Sequence, residues 1–112
     1  MLEGLTAEIE KLCGTDPAAL RDRDTIVELN RLMARLDAVN TRATAAFDTS
    51  REWEIDGART AAAWIRTRCG IPDSTARRRV RLGRALRHLP AAEQAWLAGD
   101  ICDSHVLALE GR

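Results

Sequence analysis

Apolar residues recur along this chain at helical spacing. Leu2, Leu5, Ile9 and Leu12 stand 3, 4 and 3 residues apart, one face of a short helix that ends near Cys13–Gly14, where the glycine suits a C-cap. A helix that short is not stable alone and needs something to pack on. Thr15–Asp24 is polar, contains Asp16–Pro17 and predicts a linker with one helical turn at Ala18–Arg21. The strongest pattern follows. Asp24 or Thr25 can cap a helix here, with Glu28 near the position a capping box requires. Ile26, Leu29, Met33, Leu36, Asn40, Ala43, Phe47 and Ser50 then alternate at 3 and 4 residues, and Leu32, Val39 and Ala46 widen the stripe. Such a repeat presents a seam to a partner helix. It predicts a helix over about 25–50, free of glycine and proline. Its seam serves either as the spine of the fold or as a pairing surface for a second copy, and the two uses are compatible. Asn40 either sets the register of that seam or faces a small pocket.

Ser50–Gly57 breaks the pattern. Trp53 and Ile55 stand in an acidic turn, and Trp53 suits a hydrophobic lid better than a ligand platform. Ala58–Arg68 predicts a third helix, capped by Thr60 and burying Ala61, Ala62, Trp64 and Ile65. Cys69–Gly70 ends it and Ile71–Pro72–Asp73 is the turn. Asp73 or Ser74 caps a fourth helix running to about Leu89, where Pro90 stops it. Pro90–Leu97 is a fifth helix, with Ala91, Ala95, Trp96 and Leu97 as buried candidates. Gly99–Asp100 is a turn, and Asp103 or Ser104 caps a short sixth helix, His105–Leu109. On a helical wheel Ala76, Val80, Leu82, Gly83, Leu86 and Leu89 form a broad apolar arc. Ser74, Arg77, Arg81, Arg84 and His88 gather opposite, and Arg78 and Arg87 flank them. Arg79 leaves the edge of the arc and suits an intramolecular acid, for instance on the long helix. Gly83 lowers helix propensity by about 1 kcal/mol relative to alanine, which a close helix crossing would justify.

The expected fold is therefore all-α: a long N-terminal helix packed against a helix-turn-helix-like module of short helices. Residues 1–56 form the N-terminal region and 57–112 the module, which is expected to be cut short at its C-terminal end.

Composition supports this reading, since tyrosine is absent, phenylalanine occurs once, and alanine, leucine and arginine dominate. Charge changes the picture more. The chain is neutral overall, yet residues 57–89 hold nine arginines and one acid, Asp73, while residues 1–56 hold twelve acids. Little else bears chemistry. Cys13, Cys69 and Cys102 form no CxxC, and an odd count without a signal peptide fits a reducing cytosol. No apolar run reaches the ~18–20 residues of a membrane span. There is no phosphate loop and no HExxH. His105 suits a capping turn or a packing residue rather than a catalytic base. No cofactor, metal or small-molecule substrate is expected.

The basic helix is the remaining candidate, and double-stranded DNA its expected partner. Ser74, Arg77, Arg78 and Arg81 would face base edges. Arg66, Arg68, Thr75, Arg84 and Arg87 would contact phosphates. The chain's own acids could instead neutralise these arginines, and in a competing reading the arginines pair with acidic partners. The domain would then be a protein–protein interaction or dimerisation module working through the seam Ile26, Leu29, Met33, Leu36, Asn40, Ala43 and Phe47.

Four stretches carry a family resemblance: Asp56–Ile65 (DGARTAAAWI), Gly70–Asp73 (GIPD), Ala76–Leu86 (ARRRVRLGRAL) and Leu89–His105 (LPAAEQAWLAGDICDSH). In order and spacing they resemble the DUF222 family, also called the 13E12 repeat family of actinobacteria. Gly83 stands where that family often has alanine, and Cys102 where it usually has serine. The resemblance implies a DNA-associated helical domain, often joined to an HNH endonuclease domain and sometimes to mobile elements. This chain holds no HNH motif, so the expected role is binding, or the targeting part of such a nuclease. Gly99–His105 also resembles, weakly, a segment of ParB-type partition proteins.

Overall fold

The computed structural model of the chain describes residues 1–110. It is all-helical: α1 (Glu3–Cys13), α2 (Arg23–Ser50), α3 (Ala61–Cys69), α4 (Asp73–Leu86), α5 (Pro90–Leu97) and α6 (Asp103–Glu110). Single turns of 3-10 helix lie at Pro17–Leu20 and Glu52–Glu54. The chain divides into two compact units, Met1–Asn30 and Arg31–Arg112. The division between these units lies inside α2, whose second part supplies core residues to the larger unit.

The smaller unit buries none of its residues, and the apolar row Leu2, Leu5, Ile9 and Leu12 is exposed. Asp16 accepts from the Ala18 N–H and shapes the 3-10 turn. Asp22, not Asp24 or Thr25, starts α2. Its carboxylate accepts from the Thr25 N–H at 3.0 Å and the Thr25 hydroxyl at 2.7 Å, the geometry of an N-cap. Periodicity missed this because the first turn of α2 is polar and exposed.

In the larger unit α4 belongs to both halves of the core. Ala76 and Val80 pack with Trp53, Ala61 and Ile65. Leu82 and Leu86, further along the same helix, pack with Ala38, Trp96 and Val106. The buried set on α4 matches the wheel at Ala76, Val80, Leu82, Gly83 and Leu86. Trp53 is buried, and its indole N–H donates to the Asp48 carbonyl at 3.1 Å, so the lid is fastened at its polar edge. Thr60 caps α3 by accepting from the Ala63 N–H, and Gly70 closes it with a positive φ of 64°. At α4 the expected cap is absent: Pro72 holds the N-cap position without a side-chain bond, and Asp73 lies inside the first turn. The helix stops at Leu86, before Leu89.

The long helix faces the core with the side that its apolar seam does not occupy. Ala38, Thr41 and Thr44 are its buried residues. The two threonine hydroxyls donate to the carbonyls of Asp37 and Asn40 one turn back, which satisfies them without outside partners. Small side chains here permit the close crossing that Gly83 implied: a Cβ on Gly83 would lie 2.9 Å from the Ala45 Cβ and 3.0 Å from the Thr41 carbonyl oxygen. The seam is therefore not the spine. Ile26, Met33, Leu36, Asn40 and Ala43 are exposed, Leu29 is half-buried, and Phe47 alone packs inward, against Trp64 at a ring distance of 4.7 Å. The C-terminal end of α5 is held by two arginines of α2. Arg31 donates to the Ala98 carbonyl and Arg35 to the Leu97 carbonyl, both at 3.0 Å.

Candidate nucleic-acid interface

Four positions of α4 are exposed: Ser74, Arg77, Arg81 and Arg84. The helix is positioned by α3 through a three-residue turn and by α2 through the Gly83 crossing, so its outward side is fixed by its buried one. Around it lie exposed Arg59, Arg66, Arg68, Arg87 and His88.

Carboxylates reach most of these guanidinium groups. Arg84 is bidentate to Asp48 of α2, with Nε at 2.9 Å and Nη2 at 3.2 Å, and this bond raises the Arg84 pKa further. Arg77 Nε lies 3.0 Å from Asp73 one turn earlier, and Arg81 Nε 3.5 Å from Glu110. Arg66 meets Asp73 at 3.9 Å, and Arg68 meets Asp56 at 3.5 Å while stacking over the Trp64 ring at 5.7 Å. Asp56 also accepts from the Trp64 indole N–H at 2.9 Å. Arg59, Arg79 and Arg87 form no ion pair among the described residues. The acidic partners escaped the sequence reading. One signal existed: Ala34, Ala38, Thr41, Ala45 and Asp48 form a row at 4, 3, 4 and 3 residues, so a row of small residues ends in an acid.

Two expected contact residues are only partly exposed. Arg78 does not face outward with Arg77; its Nη2 donates to Asp103 of α6 at 2.7 Å. A flank position on a wheel is claimed by whichever helix covers that flank, and here α6 covers it. Thr75 is half-buried beside it. With Asp37, Arg79 and Trp96 they line a polar cavity of about 110 Å³. Arg79 and Asp37 of the long helix line the same cavity without an ion pair between them. The Arg78 Nε–H and the Trp96 indole N–H are buried without a protein acceptor, and a cavity of this size and polarity has room for water to receive them.

Burial raises the Asp37 carboxyl above the ordinary aspartate range, Asp103 adds to the rise, and Arg79 and Arg78 oppose it. The folded state therefore holds this proton more tightly than the unfolded chain. The stabilisation is fully present below the unfolded value of ~3.9 and is lost as pH rises through the folded one. Asp37→Asn is accordingly expected to raise the melting temperature at neutral pH and to lose that advantage near pH ~3. Thermal melts at the two pH values check this; an equal shift at both would contradict it.

A family model described as "Domain of unknown function (DUF222)" matches residues 23–112. The chain belongs to the DUF222 family. The match begins at the first residue of α2 and takes in α3 to α6, so the arginine face and its carboxylates lie within the DUF222 domain. No curated protein and no solved structure matches the chain. Among the described residues no group of three or more His, Cys, Asp or Glu could hold a metal ion, and no helix is long and apolar enough to cross a membrane. His105 behaves as a capping-turn residue: its Nδ1 accepts from the Cys102 backbone N–H at 3.1 Å, with the Cys102 Sγ at 3.4 Å.

Proposed function

We propose that this DUF222 domain binds double-stranded DNA through the outward side of α4, as a binding module without catalysis of its own. One observation carries the reading: the exposed positions of α4 are arginine at three sites and serine at the fourth. A helix fits the major groove, and guanidinium groups both read guanine edges and hold phosphates. Arg77 and Arg81, with Ser74, take the base-facing role, and Arg66, Arg68, Arg84 and Arg87 the phosphate-facing one. Arg78 and Thr75 leave the set because Asp103 holds the Arg78 guanidinium and Thr75 is half-buried. The carboxylates beside the face temper its attraction without abolishing it, since exposed ion pairs contribute little and phosphate competes for the same guanidinium groups. Joined to an HNH nuclease, such a domain supplies targeting.

Binding to duplex DNA at two salt concentrations tests this. Wild type is expected to weaken steeply with salt. Arg66→Ala combined with Arg87→Ala is expected to lower the slope by about 2, one per lost phosphate contact, whereas Arg77→Ala combined with Arg81→Ala is expected to relax sequence preference. Asp48→Asn, which releases Arg84 from its carboxylate, is expected to tighten binding. No binding at low salt by protein of unchanged helix content would exclude the proposal.

The carboxylates favour a second reading. If the ion pairs of Arg66, Arg68, Arg77, Arg81 and Arg84 serve only to hold the helices together, the domain is a protein–protein interaction module whose working surface is α2. Asp48→Asn then lowers stability and leaves DNA binding absent.

A further inference from the structure

We infer that the outer face of α2 between Leu32 and Ala46 pairs with the same face of a second copy of this chain, in parallel, with Asn40 meeting Asn40 across a two-fold axis. Leu32, Met33, Leu36 and Val39 are 45%, 68%, 45% and 51% exposed, and Asn40, Ala43 and Ala46 beside them are exposed as well. About half or more of each of these large side chains stays in water in the single chain, whose core takes Ala38, Thr41 and Thr44 from the opposite side of the helix. Exposed apolar patches of this kind mark association surfaces.

Three features select a copy of the chain as the occupant. The first is spacing. Met33, Leu36, Asn40 and Ala43 follow the 3, 4, 3 alternation of a coiled-coil seam, with Leu32, Val39 and Ala46 along one edge. Such a seam is complementary to itself, as a two-fold interface must be. The second is the polar residue. Asn40 occupies the position equivalent to Met33 one heptad on, and an asparagine there meets its counterpart in a parallel dimer and fixes the register. In the free chain its side chain serves no core contact. The third is charge. The face carries no charged residue from Leu32 to Ala46, so two copies meet without repulsion, and nothing on it would draw a charged ligand. The arginines bordering it are drawn away by the chain's own acceptors: Arg31 by Ala98 and Asp100, Arg35 by Leu97, and Arg42 by Glu93. The inference is independent of DNA binding.

Sedimentation equilibrium from micromolar to millimolar concentration tests it, without DNA. Wild type is expected to reach twice the chain mass. Leu36→Lys and, separately, Leu36→Glu are expected to stay at the chain mass with unchanged far-ultraviolet circular dichroism. An equimolar mixture of the two is expected to restore the double mass, because parallel pairing sets position 36 against itself. Met33→Lys provides a second single-site probe should helix content fall in either Leu36 variant. A wild type that remains monomeric at millimolar concentration overturns the inference, as does a dimer that survives both Leu36→Lys and Met33→Lys. A mixture that fails to recover the double mass overturns the parallel arrangement.

Discussion

Replacing Gly83 with alanine is expected to destabilise this domain, although alanine is the better helix former by about 1 kcal/mol. The added methyl meets atoms that cannot step aside: the Ala45 Cβ at 2.9 Å and the Thr41 carbonyl oxygen at 3.0 Å, one on a side chain with no torsion to turn and the other on helix backbone. Relief requires α2 and α4 to separate. That separation loosens both core clusters, because α4 contributes to each. Overpacking of this kind costs about 1–3 kcal/mol, enough to outweigh the propensity gain. A net loss near 1 kcal/mol lowers the melting temperature of a domain this size by about 4–8 °C. Gly83→Val should lose more. Ala45→Gly in the Gly83→Ala background should recover part of the loss but not all, since the Thr41 carbonyl remains. A double-mutant cycle isolates that coupling. A melting temperature that rises in Gly83→Ala would show that the crossing is not close.

The second large effect is expected at Trp96, the largest of the fully buried side chains. Trp96→Ala removes the centre of the cluster formed with Ala38, Leu82, Leu86 and Val106, and should cost about 3–5 kcal/mol. Against a total stability of about 5–15 kcal/mol for a typical domain, much of the cooperative unfolding transition should disappear. Trp96→Phe is expected to cost far less. It retains most of the apolar contact and removes an indole N–H that has no protein acceptor, a group that is expensive to bury. Urea denaturation followed by circular dichroism separates the two variants. Near-equal losses would mean that the indole nitrogen contributes to stability through a bond the cavity provides.

Much of the fold was legible because it is helical and punctuated. Pro90, Gly70 and Thr60 marked boundaries that the structure keeps, and the wheel of α4 identified its buried side. What stayed hidden depends on contact rather than composition. The inward side of α2 is lined by alanine and threonine, which carry little hydrophobic signal, whereas the larger apolar residues of the same helix face away. Hydrophobicity therefore pointed to the wrong side. Asp22 gives no periodic signal, because an N-cap is defined by its hydrogen bonds and not by a period. At the candidate site, the outward residues Ser74, Arg77, Arg81 and Arg84 were legible. Asp73 stands one turn before Arg77, but two other acids beside them, Asp48 and Glu110, were not legible, since they come from distant parts of the chain. Arg78 was misplaced for the same reason: only the packing of α6 decides which way a flank residue turns.

The fastening of α2 has a mechanical consequence. Arg31 and Arg35 tie the middle of α2 to the Leu97 and Ala98 carbonyls, Asp48 near its C-terminal end is tied to Arg84, and the tight contact at Thr41, Ala45 and Gly83 lies between. Arg31 and Asp48 are about 25 Å apart along the helix axis. Three fixings along one rod remove its freedom to roll about its own axis. A load applied to the outer side of α2 is therefore shared with α4 and α5 through these contacts.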